Sequence, residues 1–409
     1  MNVNGERLLS DLNQVKSFTD TPGKGVTRFS YSENDRKTRE FITNEARAYG
    51  FNVRTDPIGN MYIGIANNNC KDKKICIGSH IDTVRNGGWL DGIYGVLSGL
   101  EILRRLAENK HKQLEGVELV VFAEEEGSNF GSTMTGSKFV SGIYGEKHLN
   151  NLKNDNGITL DNMLAQCDFP PYKESDVLWD FSNIKAMLEL HIEQGPVLEG
   201  LGKTIGIVDT VFGMKTIEVT IEGIGNHAGA TPMRYRKDPL VTVALCIEMV
   251  EKIAKADPEG VTVATVGKIA IYPNCSNVIA DKVTFTVEVR DKKESRIATV
   301  MLQIEEAFKR ISEERGTRLL IQEIAESRPT QMDKKIISIM KELAIKTGLP
   351  YEIMDSGAVH DTCILASHVP AGMLFVPSIG GRSHVPFEDT HKKDLVLGAQ
   401  LLLDTVLAL

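Results

Sequence analysis

KKICIGSHIDTV, at residues 73–84, is an apolar run that passes into polar residues, and it predicts a buried strand with chemically active side chains at its carboxyl end. A helical pattern over residues 92–107 follows it, and VELVVFAEEE at residues 117–126 is a second apolar run. KAMLELHIEQ at residues 185–194 predicts a third strand. Strands and helices that alternate at this spacing predict an α/β domain with a mostly parallel central sheet.

The pattern changes after about residue 210, where apolar and polar residues begin to alternate. Such alternation predicts strands that bury one face against helices. The elements in order are MKTIEVTIEGIG (214–225), a helix (239–256), VTVATVGKIAIY (261–272), VIADKVTFTVEVRD (278–291), a helix (293–315) and RLLIQEIAE (318–326). The order β-α-β-β-α-β predicts a ferredoxin-like α+β domain.

The second domain interrupts the first in the sequence. A helix over residues 32–50 opens the first domain, and AGMLFVPS at residues 371–378 and a helix at residues 389–407 complete it. We therefore expect a first domain of residues 1–211 and 329–409, with residues 212–328 inserted into it.

Composition excludes several classes of partner. Lys and Arg total 47 against 55 Asp and Glu, so the net charge of −8 disfavours binding to nucleic acid. The N-terminus lacks a basic region followed by an apolar one, and no run of about 18 apolar residues occurs, so we expect a cytoplasmic protein without membrane contact. The cysteines lack CxxC spacing, which predicts reduced thiols at Cys70, Cys76, Cys167, Cys246, Cys275 and Cys363.

Histidine and acidic residues collect at the predicted strand ends. His80 and Asp82 are two residues apart, so on an extended segment they point the same way and one can orient the other. Glu125 and Glu126 are adjacent, so on a strand end they point to opposite sides. One of them can bind a metal while the other handles a proton.

Three further segments complete the set with Asp91, His191 and His384. Histidine and carboxylate ligands without cysteine suit Zn²⁺, Mn²⁺, Co²⁺ or Ni²⁺. Five such ligands match a pair of metal ions bridged by a carboxylate. The pattern therefore predicts two divalent metal ions per subunit.

These segments resemble those of the M20 metallopeptidase superfamily, in its amidase/hydantoinase/carbamoylase branch. The segments that carry the resemblance are GSHIDTV, NGGWLDGIYGV, FAEEEGSNFG, LHIEQGPVLE, HAGATPMRYRKD, NVIADKVTFTVEVRD, SGAVHD and FVPSIGGRSHVPFE. LHIEQGPVLE is typical of this branch rather than of the superfamily at large. The resemblance implies a phosphorylase/hydrolase-like catalytic domain with an inserted ferredoxin-like domain that serves as lid and dimerisation domain.

The resemblance also implies roles for the residues of the first domain. The metal ligands it implies are His80, Asp91, Glu126, His191 and His384, with Asp91 as the bridge. It makes Glu125 the general base, Asp82 the partner of His80, and the peptide bond after Asp91 cis.

The substrate side is also implied by the resemblance. His227 is expected to stabilise the oxyanion, and Asn277 and Arg290 are expected to bind a substrate carboxylate. Further substrate contacts are expected from Gln194, Gly357 and His360. The chain is expected to form a homodimer through residues 212–328, and His227 is a candidate for the neighbouring subunit's site.

The function expected from the resemblance is a dinuclear amidohydrolase that cleaves the carbamoyl C–N bond of an N-carbamoyl-L-amino acid with a metal-activated water. MTGSK at residues 134–138 favours the carbamoylases. Allantoate, N-carbamoyl-β-alanine (the β-ureidopropionase substrate) and ureidoglycine remain alternatives, and an M20 aminoacylase or peptidase is a more distant one. Val359 and Arg382 depart from the usual pattern of the branch. A binding protein without activity is disfavoured, because every expected ligand and the base are present.

Overall fold

The computed structural model describes residues 1–65 and 73–409, so Cys70 lies outside the described residues. The strands are β1 (Asn52–Thr55), β2 (Met61–Gly64), β3 (Lys74–His80), β4 (Val117–Phe122), β5 (Ile184–Ile192), β6 (Ile205–Val211), β7 (Gly213–Glu222), β8 (Asn226–His227), β9 (Val263–Thr265), β10 (Ile269–Tyr272), β11 (Val278–Ile279), β12 (Lys282–Asp291), β13 (Arg318–Ser327), β14 (Thr330–Gln331), β15 (Tyr351–Ser356) and β16 (Ala371–Val376).

The helices are numbered in chain order in the same way. They are α1 (Gly5–Lys16), α2 (Glu33–Ala48), α3 (Ile93–Glu108), α4 (Thr135–Val140), α5 (Glu146–Asn151), α6 (Leu160–Leu164), α7 (Glu174–Val177), α8 (Val197–Leu201), α9 (Pro239–Lys255), α10 (Glu294–Arg315), α11 (Lys334–Thr347), α12 (Asp361–Leu365) and α13 (Lys392–Ala408). In the part of the chain that the structure describes, no helix is long and apolar enough to cross a membrane.

The chain divides into two compact units. Met1–Asp209 and Gln331–Leu409 form the first, and Thr210–Thr330 forms the second. The boundaries expected from the sequence lie two residues from these. We call the first the catalytic unit, after the role expected for it from the sequence, and the second the inserted unit.

The catalytic unit is built on one sheet, which has nine strands among the described residues in the order β1-β2-β4-β3-β5-β16-β6-β14, with β15 beside β6. The four central strands, β4, β3, β5 and β16, run parallel, whereas β2 pairs antiparallel with β4, β1 with β2, and β6 with β16. The prediction of an α/β domain with a mostly parallel sheet is confirmed. Because parallel strands end at one edge, the residues after β3, β4 and β5 are brought close together.

The strands end earlier than the sequence pattern indicates. β3 stops at His80 and β4 at Phe122, so Glu125 and Glu126 lie in a turn and not on a strand. The cause is Asp82, whose carboxylate accepts the N–H groups of Glu125 (3.2 Å) and Glu126 (3.0 Å). Those N–H groups are therefore bonded outside the sheet.

The inserted unit is an antiparallel sheet in the order β10-β12-β7-β13, with β9 also paired to β12. Within the unit, β7 is the first strand, β9 and β10 together are the second, β12 is the third and β13 is the fourth. Read from β13, the order is 4-1-3-2, which is that of a ferredoxin-like domain. Buried side chains alternate along β12, and they form a core with α9 and α10 around Phe285 and Phe308. The prediction of a ferredoxin-like α+β unit is confirmed.

One predicted strand of the inserted unit is wrong in detail. VTVATVGKIAIY forms two short strands, β9 and β10, instead of one. Thr265 pairs with Glu288, and Ile269 pairs with Phe285, so the register shifts by one residue between them. One extra residue on one strand of a pair is a β-bulge, which interrupts the ladder.

Candidate metal centre

Asp91 stands between two groups of side chains at the carboxyl edge of the central sheet. Its Oδ1 lies 3.1 Å from His191 Nε2 and 3.5 Å from His80 Nε2. Its Oδ2 lies 3.2 Å from His384 Nε2, which is 3.4 Å from Glu126 Oε1. The structure thus brings all five predicted ligands together as two groups of three that share Asp91.

The two buried imidazoles of His80 and His191 present their Nε2 atoms to Asp91. Nδ1 of His80 lies 3.1 Å from the carbonyl oxygen of Asp82, and Nδ1 of His191 lies 2.9 Å from that of Ile192. These bonds assign the ring proton to Nδ1 and leave a lone pair on Nε2. A lone pair that faces a carboxylate oxygen at 3.1 Å is repelled unless a proton or a metal ion lies between them. The carboxylates around the two rings accordingly raise the pKa of both imidazoles despite their burial. The arrangement is therefore suited to a positive ion.

A second observation supports the same conclusion. Within residues 1–65 and 73–409, Glu126 Oε1 is buried and has no hydrogen-bond partner. A buried acceptor without a partner costs about 1–3 kcal/mol, and more when it is charged. A divalent cation between Glu126, His384 and Asp91 would satisfy it. Nitrogen and oxygen donors of this kind are those that Zn²⁺ and Mn²⁺ bind, so the residues fit the predicted metal ions.

The site concentrates negative charge out of water. Burial, followed by the charge of Asp91, raises the pKa of Glu126 to about 8. Burial also raises the pKa of Glu125 well above its ordinary value, with the nearby carboxylate of Glu126 adding to the shift. Burial opposes the charge of Asp91 as well, but His191, His384 and His80 outweigh it and hold the pKa of Asp91 well below its ordinary value. Bound cations would stabilise the ionised form of all three acids.

The backbone around the site is held in unusual conformations. Glu124, Gln194 and His384 have positive φ angles of 53°, 60° and 58°. Each such residue costs of order 1–3 kcal/mol unless the surrounding contacts compensate. These three residues lie in the turns that carry or flank the ligands, and such strain is common at functional sites, although six other non-glycine residues of the described chain also have positive φ.

The turn after Asp91 differs from the prediction. Among residues 1–65 and 73–409 the only cis peptide bond is Tyr272–Pro273, so the predicted cis bond after Asp91 is wrong. Gly92 reverses the chain instead, with φ 67° and ψ −55°, and the Ile93 N–H donates to the Asp91 carbonyl at 2.7 Å. This is a γ-turn. Only glycine fits there, because a Cβ on Gly92 would lie 2.4 Å from the His80 ring.

Asp82 has a wider role than the predicted one. Its carboxylate is 3.6 Å from His80 Nδ1, so it does face the ring, but its carbonyl oxygen is the nearer partner. The same carboxylate holds the backbone of Glu125 and Glu126. One side chain therefore fixes both a histidine and the acidic turn.

The predicted substrate contacts of the catalytic unit lie in different surroundings. Gln194 donates from Nε2 to Asp91 Oδ2 at 2.8 Å, so it belongs to the centre. His360 is 2% exposed and packs edge-on against the His191 ring, with 4.6 Å between the ring centroids. Burial, together with His191, lowers the pKa of His360 well below its ordinary value, so this imidazole is neutral. Gly357 follows β15, and a Cβ added to it would meet no other atom within 4 Å.

In the inserted unit, His227 and Asn277 are neighbours. β8 pairs with β11, and the Ala228 N–H donates to the Asn277 carbonyl at 3.0 Å. Nδ1 of His227 accepts the N–H groups of Gly229 and Ala230, both at 3.1 Å. The ring proton of a neutral His227 is therefore on the exposed Nε2, which can act as a donor.

β8 and β11 form a two-stranded sheet of their own, next in the chain to the Lys282 end of β12, whereas Arg290 lies at the other end of β12. It pairs with Met214 at the end of β12 that is opposite Lys282, and its Nε donates to Glu288 at 2.7 Å. Eight residue steps of about 3.3 Å separate Lys282 from Arg290, a span of about 26 Å. The structure therefore does not bring Arg290 together with His227 and Asn277 within one inserted unit.

Residues 76–408 match the family described as peptidase family M20/M25/M40. The chain belongs to this family. Its resemblance to the amidase, hydantoinase and carbamoylase branch is also confirmed, because its relatives carry those names.

Three relatives of this M20 chain illustrate the branch. The N-carbamoyl-L-amino-acid amidohydrolase of Pseudomonas sp. (strain NS671) is 34% identical over 99% of this chain and 98% of its own length. The allantoate amidohydrolase of Escherichia coli (strain K12) is 36% identical over 95% and 94%. The crystal structure of an amidase of the hydantoinase/carbamoylase family from Burkholderia multivorans is 32% identical, with a TM-score of 0.90 over 100% of this chain and 98% of that one.

Sequence reasoning on this M20 chain missed two buried acids. Glu124 accepts the N–H groups of Asn129 (2.9 Å) and Phe130 (2.7 Å) and so shapes the loop after the acidic turn. Glu388 contacts the Asp91 turn. The signal for Glu388 was a single acid in the apolar segment VPFE, four residues after His384.

Proposed function

We propose that the chain is a metal-dependent amidohydrolase that cleaves the carbamoyl C–N bond of N-carbamoyl-L-amino acids and forms an L-amino acid, carbon dioxide and ammonia. The observation that carries the proposal is Asp91, whose two carboxylate oxygens face two separate groups of nitrogen and oxygen donors. The names of the relatives support the reaction class.

Two ions would be held by this chain, one by His80, Asp91 and His191 and one by Asp91, Glu126 and His384. When bound, divalent ions of this kind lower the pKa of a water molecule and polarise the scissile carbonyl. The buried ligands exclude bulk solvent from the ion-facing side, which strengthens every charge interaction there.

Glu125 is suited to the role of general base. Its Oε2 lies 3.7 Å from His80 Nε2, yet Glu125 belongs to neither group of ligands, so its carboxylate is free to take a proton. Burial raises the pKa of Glu125, which makes its carboxylate a stronger base. It would take a proton from the attacking water and return it to the leaving nitrogen.

The MTGSK segment supports the acidic turn directly. The Met134 N–H donates to the Glu125 carbonyl at 2.7 Å, and the Thr135 N–H donates to the Glu124 carbonyl at 2.9 Å. Gly136 must be small, because a Cβ there would lie 2.1 Å from Asn60 Oδ1. The segment that resembles the carbamoylases therefore packs against the proposed base, which supports the preference for carbamoyl substrates.

The inserted unit would complete the substrate site as part of a homodimer. The Arg290 guanidinium can bind a carboxylate with two parallel hydrogen bonds, and His227 Nε2 can donate to the oxyanion. A small ureido acid is far shorter than the span of about 26 Å between the two ends of β12. We therefore propose that Arg290 and the His227–Asn277 pair serve the sites of different subunits.

Ammonia release from four substrates tests the proposal. N-Carbamoyl-L-alanine should be hydrolysed with a higher kcat/KM than N-carbamoyl-β-alanine, allantoate or ureidoglycine, and dialysis against a chelator should abolish turnover until a divalent ion is restored. Preference for allantoate would support the second candidate, the activity named for the Escherichia coli relative. Full activity after chelation would contradict the proposal for all four substrates.

A further inference from the structure

Glu388 is a buried acid that neither group of metal ligands uses. It is 1% exposed, although it lies one residue after Phe387, which is 72% exposed. Its Oε1 accepts the N–H groups of Leu90 (2.9 Å) and Asp91 (3.1 Å). Its Oε2 accepts the hydroxyl of Ser383 at 2.7 Å. A buried carboxylate needs such donors to stay ionised, and here they come from two different segments.

Those two segments carry two of the three ligands of one proposed ion. The first segment contains Asp91, and the second contains Ser383 and His384, whose Nε2 faces Asp91 Oδ2. The Ser383 hydroxyl also lies 3.1 Å from Asp91 Oδ2, so it is shared between two carboxylates. Its single proton can be donated to only one of them at a time.

The lack of a side chain at Gly88 makes room for the Glu388 carboxylate. A Cβ on Gly88 would lie 1.9 Å from Glu388 Cδ, so no other residue at position 88 is compatible with this carboxylate in its present place. The turn before Asp91 is therefore shaped around Glu388. Since the donors and acceptors are nearly 300 residues apart in sequence, this contact joins two distant parts of the catalytic unit.

We propose that Glu388 is a positioning residue that holds the Asp91 turn against the Ser383–His384 segment and thereby sets the affinity of the Asp91–Glu126–His384 group for its metal ion. The proposal rests on the metal dependence proposed above. The group formed by His80, Asp91 and His191 depends less on Glu388, because His80 ends β3, His191 lies within β5, and their Nδ1 atoms are fixed by local carbonyls.

Metal binding, measured apart from turnover, tests this role. The affinity of each of the two sites for Mn²⁺ and Zn²⁺ would be determined by competition with a chromophoric chelator. Glu388→Ala should weaken one site by about 10- to 100-fold and leave the other nearly unchanged. Glu126→Gln, which removes a ligand of the Asp91–Glu126–His384 group alone, should lose the same site.

The conservative variant adds a readout that a general loss of stability would not give. In Glu388→Gln the amide oxygen can still accept from Leu90 and Asp91, and the amide N–H₂ can donate to Ser383. The Ser383 proton is then directed to Asp91. Glu388→Gln should therefore retain most of the affinity that Glu388→Ala loses, and Ser383→Ala should weaken the same site by a smaller factor.

Asp56 supplies a matched control. It is buried, and it accepts the N–H groups of Ile58 and Asn60, both at 2.9 Å, outside both groups of ligands. Asp56→Ala should lower the thermal stability without changing either metal affinity.

Three outcomes would overturn the proposal. They are two sites of wild-type affinity in Glu388→Ala, an equal loss of both sites, and the same loss in Asp56→Ala. If Glu388→Ala does not fold, Glu388→Gln and Ser383→Ala test the proposal instead. Wild-type metal affinity in Ser383→Ala would contradict the proposal, and so would a loss of both sites in Glu388→Gln. A wild-type protein that binds no ions would instead contradict the proposed function.

Discussion

The catalytic unit and the inserted unit place their predicted functional residues in opposite ways. In the catalytic unit, five residues from widely separated segments converge around Asp91. Each of the other four lies within 3.5 Å of Asp91 or of a residue that contacts it, and four of the five are largely buried. In the inserted unit, His227 is exposed on β8, and Arg290 lies on a different sheet, at the end of β12 opposite Lys282. A metal centre needs ligands from one rigid edge, whereas substrate contacts can come from separate places.

Asp91 gives the largest effect that this comparison allows. Asp91→Ala removes the residue shared by both groups, so we expect loss of both ions and a kcat/KM lower by more than about a hundredfold. Metal analysis of the purified variant measures the first effect, and an ammonia assay measures the second. His227→Ala is the control, because a change in the inserted unit should leave both ions bound. Loss of metal from His227→Ala would break the comparison.

Glu125 separates chemistry from metal binding within the catalytic unit. Glu125→Gln removes the proposed base but no ligand, so kcat should fall by about 10²- to 10⁴-fold while two ions remain bound. Single-turnover kinetics and metal analysis on the same preparation test both statements. A variant that keeps wild-type kcat would exclude Glu125 as the base.

Mixed dimers sharpen the comparison for the inserted unit. If His227 serves the neighbouring site, a dimer of one His227→Ala and one Glu125→Gln subunit contains one complete site. Random pairing of equal amounts should then recover about one quarter of the wild-type activity. The same mixing with Arg290→Ala in place of His227→Ala should give the opposite result, because Arg290 lies at one end of β12 and His227 lies on β8, beyond the other end. Recovery of activity in both mixtures, or in neither, would contradict the proposal that His227 and Arg290 serve the sites of different subunits.

Arg382 should give the smallest effect. It is exposed, and its guanidinium lies 5.8 Å from the centroid of the Phe387 ring, a contact worth about 0.5–1 kcal/mol at an exposed site. Arg382→Ala and Phe387→Leu should each lower the free energy of unfolding by about this amount, and the double variant should be no worse than either alone. Urea denaturation measures all three. A large rise in KM for Arg382→Ala would instead add Arg382 to the substrate contacts.

The sequence predicted the parts of the molecule that follow from local pattern. Apolar runs that end in His80, Glu126 and His191 predicted both the parallel sheet and the convergence of its strand ends, because strand direction fixes where those ends lie. The alternation along β7 and β12 predicted the ferredoxin-like unit.

The parts that the sequence did not predict depend on contacts between distant segments. Nothing in the local sequence shows that Glu388 caps the turn before Asp91, 297 residues away. The early end of β4 has the same origin, because the Asp82 carboxylate takes N–H groups that the pattern assigned to the strand. The γ-turn at Gly92 was missed because its reason is the nearby His80 ring.

The three acids Asp82, Glu124 and Glu388 share one feature, which is that each accepts two consecutive backbone N–H groups. Backbone N–H groups thus satisfy these carboxyl groups, so the turns that they hold do not depend on an ion for their shape. The consequence is kinetic. We expect the rate at which the apoprotein binds divalent ions to be limited by loss of water from the ion. That rate differs strongly between Mn²⁺ and Ni²⁺, whereas a rate set by rearrangement of the chain would be the same for both ions.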